Sequence, residues 1–151
     1  MDWSLRKLKL AQIERQIKGL DCITIPAVGW IKNIREALGM NTRQLGERCN
    51  ISSERIVKIE SDESEGKLTM ATLEKMATAM NCKFVYGFVP NDGLINTIER
   101  QAYIKAKSQL ARISHSMTLE NQKISNESMN EQIELLKEEL IKGNIKKIWD
   151  N

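Results

Sequence analysis

Residues 41 to 60 constrain the fold most, because their apolar and polar residues are spaced as in two short helices joined by a tight turn. Asn41 is suited to cap the first helix, and Gln44 lies three residues on, where the partner in a capping box belongs. Leu45 and Cys49 are four residues apart and share one helix face. The first helix is therefore predicted to start at the cap and to bury one side.

The second helix of this stretch follows a turn at Asn50, a residue type that tolerates a positive φ. Ser52 is a good cap for it, and Ile56 and Ile59 point one way. Ser53, Glu54, Arg55, Val57 and Lys58 cover the rest. Gly46 weakens the first helix and makes sense where the second helix crosses closely. The pattern predicts a helix-turn-helix sized for the major groove, although spacing alone also fits a helical hairpin in an all-α core.

Composition narrows the class of protein. The 151 residues suffice for one ordinary domain, or for a small domain with appendages, and 41% hydrophobic and 28% charged residues suit a soluble helical protein. A formal net charge of +3 does not by itself imply nucleic acid. No apolar run approaches a membrane span, and the N-terminus lacks the features of a signal peptide. We therefore expect a cytoplasmic protein.

Neither a metal site nor a catalytic set is expected. Cys22, Cys49 and Cys82 are far apart and form no Cys-x-x-Cys pair, which is typical of reduced intracellular residues, two of them in the core. His115 is the only histidine and lacks clustered partners at ligand spacing. With no Ser-His-Asp arrangement and no phosphate-binding glycine loop, the chain is predicted not to be an enzyme and to need no cofactor.

Helices are predicted on both sides of the motif. Residues 29 to 38 and 69 to 80 should bury Trp30, Ile31, Ile34, Leu38, Leu73, Met76, Ala77 and Met80. Lys32 and Arg35 are predicted to face outward. Residues 61 to 66 are predicted to form an acidic loop away from DNA.

A basic N-terminal helix is predicted over residues 2 to 20, with an approximate apolar stripe of Leu5, Leu8, Ile13, Ile17 and Leu20. The stripe either docks on the domain, or the helix is a basic arm that contacts DNA phosphate. The Ile25-Pro26 step marks a break after this segment.

Residues 83 to 90 change the hydrophobic period. They are rich in aromatic and β-branched residues and end at Pro90, which predicts a strand. A lone strand cannot satisfy its backbone groups. Either two copies pair across a dimer axis and form a homodimer, or the segment is extended, buried and covers the domain.

The C-terminal part is predicted to be a helical extension for dimer or partner contacts. A helix over residues 92 to 117, capped by Asp92, has an apolar face of Ile95, Ile98, Ala102, Ala106, Leu110, Ile113 and Met117. A last helix over residues 127 to 142, capped by Asn126, has an apolar face of Met129, Ile133, Leu136 and Leu140. The predicted fold class is mostly all-α with one short strand, divided into 1-27, 28-82, 83-90 and 91-151.

This order of elements resembles the lambda-repressor-like, or Xre, family of DNA-binding domains. The resemblance rests on the motif, on Trp30 to Met40 before it and on Leu68 to Met80 after it. Gly46 stands where that family usually has Ala, and Asn50 where it usually has Gly. The resemblance implies that residues 53 to 60 form a recognition helix whose first residues reach base edges.

The resemblance also implies roles for the polar residues. The candidate base-reading residues are Ser53, Glu54 and Lys58, with Lys58 donating to guanine and Glu54 accepting from cytosine. Arg55 is a candidate for phosphate or base. The candidate phosphate contacts are Thr42, Arg43 and Gln44, and Ser52 completes the predicted interface. Each of these positions also fits a solvated polar residue.

A closer resemblance extends over nearly the whole chain. The segments Gly29 to Met40, Val85 to Pro90 and Ser114 to Gln122, together with Arg100-Gln-Ala102 and Trp149-Asp150, look like the bacterial family called mobile mystery protein A. Its members are Xre-type regulators, typically encoded beside a Fic-domain protein in what looks like a toxin–antitoxin pair. The resemblance implies an autoregulating repressor of a bacterial operon with an antitoxin-like role. The alternatives are a stand-alone phage-type repressor and a primarily protein-binding antitoxin.

Antitoxins of Fic enzymes can carry a Ser/Thr-x-x-x-Glu-Gly/Asn motif, whose Glu blocks the nucleotide site. Ser116, Glu120 and Asn121 match it, and so do Ser61, Glu65 and Gly66, so the pattern is weak. The hypothesis is that Glu120 inhibits a Fic-domain toxin. The alternative is that Ser116 and Glu120 only finish and solvate a helix.

Overall fold

A computed structural model describes residues 1–118 and 125–150. In this part the fold is all-α, with seven α-helices and no strand. The α-helices are α1 (Trp3–Ile17), α2 (Trp30–Ala37), α3 (Thr42–Cys49), α4 (Ser53–Ser64), α5 (Met70–Ala79), α6 (Leu94–Thr118) and α7 (Asn126–Lys142). Two short 3₁₀ helices lie at Leu20–Cys22 and Ile145–Trp149.

The chain divides into two compact units. The central unit, Gly19–Gly87, contains α2 to α5. The terminal unit, Met1–Lys18 with Phe88–Asn151, contains α1, α6 and α7. Each unit has a hydrophobic core of its own.

The core of the central unit is built from one apolar face of each helix. Its buried residues are Ile31, Leu45, Cys49, Ile56, Ile59, Met76 and Met80. The predicted capping box of α3 is confirmed, because Asn41 Oδ1 accepts from the Gln44 N–H and Gln44 Oε1 accepts from the Asn41 N–H, both at 2.8 Å. Asn50 has a φ of 57° at the turn, as predicted.

Gly46 lies in the middle of α3 and faces the turn that leads into α4. A Cβ built on it would stand 2.6 Å from the carbonyl oxygen of Ile51, which no side chain could accommodate without a backbone shift. A close approach at Gly46 is confirmed, but it is made by the backbone of Ile51 in the turn and of the cap residue Ser52, where a crossing helix was predicted. The stability that glycine loses in the helix is therefore offset by close packing of the motif.

The prediction that Arg35 faces outward is wrong. Its side chain is buried, because α2 turns Ile31, Ile34 and Arg35 toward the core. Trp30 and Leu38, which were expected in the core, are 41% and 52% exposed. The inner face of α2 is thus rotated from the expected one, so that a charged residue takes a core-facing position.

The predicted loop over residues 61 to 66 is also wrong for most of its length, since α4 continues to Ser64. The Glu63 carboxylate lies in the last turn of α4 and has a structural role there. Its oxygens accept from the N–H groups of Trp30 and Ile31, each at 2.9 Å, and so cap the start of α2. An acidic side chain at a helix N-terminus is stabilising.

The predicted strand over residues 83 to 90 is absent from the described part of the chain, where this segment is neither helix nor strand. It has no second strand there to pair with. It is not a buried cover either, because Val85, Tyr86 and Phe88 are exposed. Cys82 and Cys22 are also exposed, so that Cys49 alone is in a core, against the expectation of two.

The terminal unit packs α6 against α7 and the last 3₁₀ helix. Its buried residues are Ile98, Ala102, Ala106, Ile133, Leu140, Ile141 and Ile148. Trp3 and Leu10 of α1 pack against this core, whereas Leu5 and Leu8 are exposed. The predicted stripe of α1 is therefore wrong at these two leucines.

Both predicted caps in this unit are displaced. The first N–H of α6, at Leu94, donates to Glu14 Oε1 of α1 at 2.7 Å, while the Asp92 carboxylate pairs with Arg100 instead. The N-cap of α7 is Ser125, one residue before the predicted Asn126. A cap supplied from a distant helix leaves no local sequence signal.

Candidate nucleic-acid interface

Helix α4 presents a continuous exposed face. Glu54, Val57, Lys58 and Ser61 are all exposed, and their spacing of i, i+3, i+4 and i+7 places them on the side opposite the buried isoleucines of α4. We call these four residues the outer face of α4. Its composition of one carboxylate, one ammonium, one hydroxyl and one branched apolar group suits reading of base edges.

A hydrogen bond joins the first turns of α3 and α4. The hydroxyl oxygens of Thr42 and Ser53 are 2.6 Å apart, and both residues are half-buried. This contact brings the predicted phosphate-contacting end of α3 next to the predicted base-reading end of α4. One of the two hydroxyls donates this bond and the other keeps its O–H, so the pair can still hydrogen-bond to DNA without breaking the contact.

Two further predicted residues already have structural partners. The Ser52 hydroxyl accepts from the Arg55 N–H at 3.2 Å and caps α4, as the sequence predicted. The side-chain oxygen of Gln44 belongs to the capping box, which leaves its NH₂ group as the donor for a phosphate. Both residues therefore position the helices, whatever they contact outside.

The predicted cationic residues are exposed and only loosely held. Arg43 lies 2.9 Å from Glu47, and Lys58 lies 3.6 Å from Asp62, with the cationic side chains 71% and 64% exposed. Exposed pairs of this kind contribute little to stability. A phosphate or a base acceptor can therefore replace the carboxylate at small loss. Arg55 is exposed as well.

The Glu54 carboxylate is stabilised as an anion. Its own backbone N–H and then the Ser52 hydroxyl hydrogen-bond to it, and these bonds lower the pKa of Glu54 below its ordinary value. An ionised carboxylate only accepts hydrogen bonds. In a groove it suits the cytosine N4 amino group and repels phosphate.

A buried ion pair fixes the position of α4. The Arg35 guanidinium donates from Nε to Glu60 Oε1 at 2.6 Å and from Nη2 to Glu60 Oε2 at 3.1 Å, and its Nη1 donates to the carbonyl of Met40 at 2.8 Å. The hydrogen bond to the Glu60 carboxylate raises the pKa of Arg35. This forked contact ties α2 to α4.

Sequence reasoning missed this pair and gave Val57 no role. A signal for the pair existed, because Arg35 lies four residues after Ile31 and Glu60 lies four residues after Ile56, both on core-facing positions. Val57 is 55% exposed on the outer face of α4. Apolar groups there are suited to contact the thymine methyl.

The other predicted site lies mainly outside the described residues. The Ser116 hydroxyl donates to the Arg112 carbonyl within α6, whereas Glu120 and Asn121 lie outside the described residues. Within residues 1–118 and 125–150, no group of His, Cys, Asp and Glu residues is arranged to hold a metal ion. In that same part of the chain, no helix is long and apolar enough to cross a membrane.

The arrangement of α2 to α5, with a tight α3–α4 turn and an exposed α4, defines a helix-turn-helix domain. The comparison with protein families agrees, since residues 31–86 match the family described as Helix-turn-helix. This part of the chain is an Xre-like DNA-binding domain of the kind found in regulators. The predicted Xre resemblance is therefore confirmed for these residues. Comparisons with curated proteins and with solved structures gave no match.

Proposed function

We propose that the chain is a sequence-specific double-stranded DNA-binding transcriptional regulator that represses its own operon. The observation that carries the proposal is the outer face of α4, standing free beside the first turn of α3 to which the Thr42–Ser53 hydrogen bond joins it. A helix of 12 residues presented in this way fits the major groove.

Base contacts are assigned to the outer face of α4. Lys58 donates to O6 and N7 of guanine, Glu54 accepts from N4 of cytosine, and Val57 packs on a thymine methyl. Arg55 flanks this face and reaches a phosphate or a base. The residue types on the outer face thus favour an operator half-site that contains guanine, cytosine and thymine.

Phosphate contacts are assigned to the start of α3. Thr42, Arg43 and Gln44 occupy its first turn, where backbone N–H groups and the positive end of the helix dipole also favour an anion. Such contacts set the register of the protein on DNA and carry no sequence information themselves. In this proposal α3 positions the protein on the DNA backbone, and α4 reads the base sequence.

Fluorescence anisotropy tests these separate roles of α3 and α4. Binding to the DNA upstream of the gene is compared with binding to scrambled DNA of equal length over a series of salt concentrations. Lys58→Ala should weaken operator binding by about 1–3 kcal/mol and leave scrambled DNA unaffected. Arg43→Ala should weaken both DNAs alike and lower the salt slope by about one. Lys75→Ala, an exposed lysine on α5, serves as the control.

Two results would count against the proposal. Equal affinity of the wild-type protein for operator and scrambled DNA would leave only a basic surface. Identical effects of Lys58→Ala and Arg43→Ala on the two DNAs would refute the separate roles. Selective loss in the first variant and uniform loss in the second would support both roles.

The proposal includes the Fic-domain partner that the resemblance to mobile mystery protein A implies. Its support is that resemblance and the match of Ser116, Glu120 and Asn121 to the inhibitory motif. In cells that co-express the neighbouring Fic-domain protein, Glu120→Ala should lose protection while operator binding is unchanged. Full protection by this variant would show that Glu120 is not the inhibitory residue.

A further inference from the structure

The segment from Lys83 to Val89, here called the apolar segment, has an unusual surface. It contains no helix, turn or bend, and the side chains of Val85, Tyr86 and Phe88 are 60%, 67% and 85% exposed. Phe88 is the most exposed of the large apolar side chains in the described residues. Contiguous exposed apolar groups of this kind mark interaction surfaces.

The backbone of the apolar segment is unpaired. Within the described part of the chain, no hydrogen bond joins an N–H or C=O group of residues 83–89 to another protein group. A chain with a free row of donors and acceptors can pair as the edge of a sheet does. Its composition of aromatic and β-branched residues suits a strand. Both features point to pairing with another extended chain.

Two aromatic side chains of the apolar segment lie on one side. In a strand, which has a period of two, Phe84, Tyr86 and Phe88 would share one face. The rings of Phe84 and Tyr86 stack with centroids 6.3 Å apart and planes inclined by 17°, which places both on the same side. A partner strand would therefore meet an aromatic face.

We propose that the partner is a second copy of this chain, which pairs its own apolar segment antiparallel to the first about a two-fold axis at Tyr86. In this register Phe84 lies opposite Phe88 of the second copy, and Tyr86 lies opposite itself. The aromatic faces of the two strands then combine into one cluster, a favourable arrangement for cross-strand pairs. The pairing is isologous and closes at two copies.

Charge and proline positions favour an antiparallel pair. Lys83 is the only charged residue in the apolar segment. In a parallel, in-register pair the two Lys83 ammonium groups would stand opposite each other, which is unfavourable. In the antiparallel pair Lys83 faces Val89, so that the two lysines lie at opposite ends. Pro90, which lacks a donor, falls outside the paired residues.

The central unit offers further apolar surface next to the apolar segment. A cavity of about 350 Å³ is lined mainly by apolar side chains, among them Trp30, Leu73, Phe84 and Val85. Ile23 also lines it and is 49% exposed. A short strand pair alone buries less than the roughly 800 Å² per partner of a standard interface. The surface around this cavity is therefore the place where the second copy would bury the remainder.

Cysteine cross-linking of the full chain tests the register without DNA. The background carries Cys22→Ser and Cys82→Ser, and retains the buried Cys49. Tyr86→Cys should give a disulfide-linked dimer on mild oxidation, because directly opposite Cβ atoms are about 4.5–5.5 Å apart and a small shift brings them to the roughly 3.5–4.5 Å of a disulfide. Phe84→Cys should not, because its counterpart is residue 88. The double variant Phe84→Cys with Phe88→Cys should cross-link again.

A second arm measures the dimer itself by light scattering and sedimentation. Tyr86→Asp places two carboxylates opposite each other and removes an aromatic pair, so the dimer dissociation constant should rise about tenfold or more. Leu135→Asp, at a residue of α7 that is 71% exposed, is the matched control and should stay dimeric. Both sites are exposed in the single chain, and circular dichroism should show equal helix content.

Three results would overturn the inference. They are a wild-type monomer at tens of micromolar, cross-linking of Phe84→Cys as efficient as that of Tyr86→Cys, and a Tyr86→Asp variant that stays dimeric.

The inference draws on the proposed function only because helix-turn-helix dimers read two half-sites. The two can fail separately, since an intact dimer that ignores the operator counts against the function alone. A monomeric chain that still selects the operator counts against the pairing alone.

Discussion

Removing one charge of the Arg35–Glu60 pair should be among the most destabilising substitutions in the central unit. Both residues are buried, at 7% and 8% exposure, and the contact is a fork of two hydrogen bonds at 2.6 Å and 3.1 Å. Arg35→Met leaves the Glu60 carboxylate without its partner, and Glu60→Leu does the same to the guanidinium. Breaking a buried pair from one side reduces the free energy of unfolding by about 3–5 kcal/mol.

The double variant distinguishes the net contribution of the ion pair to stability from the destabilisation caused by one unpaired buried charge. With Met at 35 and Leu at 60, no ion remains buried, and apolar replacements of similar volume are often neutral or better. Arg35 also donates to the Met40 carbonyl at 2.8 Å, and losing that bond removes about 1 kcal/mol. We therefore expect the double variant to lie well above either single variant in stability.

The assay needs a signal from the central unit alone, because the two units of the chain need not unfold together. Trp30 lies in the central unit, whereas Trp3 and Trp149 lie in the terminal unit. Replacing these last two with Phe makes tryptophan fluorescence a reporter of Trp30. Urea titrations of the wild type, the two single variants and the double variant in this background then form a complete thermodynamic cycle.

Additive changes in the free energy of unfolding would refute the reasoning. If the changes of the two single variants sum to that of the double variant within about 0.5 kcal/mol, the two residues are not coupled and the buried fork is not a stabilising contact. Single-variant losses below about 1 kcal/mol would lead to the same conclusion, because they are typical of exposed ion pairs.

Two other predictions concern carboxylates at helix starts. Glu63→Gln keeps the shape but removes the charge at the start of α2, so the free energy of unfolding of the central unit should fall by about 1–2 kcal/mol in the same assay, and an unchanged midpoint would contradict the cap. Ser52→Ala should remove about 1 kcal/mol and raise the pKa of Glu54 toward its ordinary value, as read by NMR titration. Because the folded pKa of Glu54 is lowered, its contribution to stability is present above the unfolded pKa and is lost as the pH falls through the folded one.

The motif itself could be predicted from sequence because its determinants are local. The capping box joins residues three apart, the αL turn depends on one residue type, and the buried face of α4 follows a period of 3.6. Asn41, Asn50, Ser52 and Ile56 therefore all take their predicted places. The positions of the candidate DNA contacts follow from the same local geometry.

Three of the failures share one physical cause, which is a partner far away in sequence. Arg35 finds Glu60 at a separation of 25 residues, Trp30 finds Glu63 at 33, and Leu94 finds Glu14 at 80. Periodicity in a single sequence describes how each helix can be buried and not what faces it. The sequence therefore predicted Arg35 to face solvent, Glu63 to lie in a loop and Asp92 to cap α6.

The strand prediction for the apolar segment was wrong for a different reason. Its residue types and alternation favour a strand, and the stacked rings of Phe84 and Tyr86 agree with that preference. A strand, however, is defined by hydrogen bonds to a second strand, and residues 1–118 and 125–150 of this chain contain none. Local preference and observed structure differ here because the described residues contain no second strand with which the segment could pair.

Helix α4 extends beyond the predicted recognition helix, and its C-terminal end is acidic. The carboxylates there need neutralising partners if this end is to lie near DNA. Residues 61 to 66 were expected to be a loop kept away from phosphates, yet Asp62 and Glu63 belong to α4. Glu60 is neutralised by Arg35, Asp62 lies beside Lys58, and Glu63 faces the positive end of α2. Three carboxylates of α4 are thus compensated within the protein. Glu54 has no cationic partner among the described residues, so it is the carboxylate of the outer face whose interaction with DNA should depend most on the base opposite it.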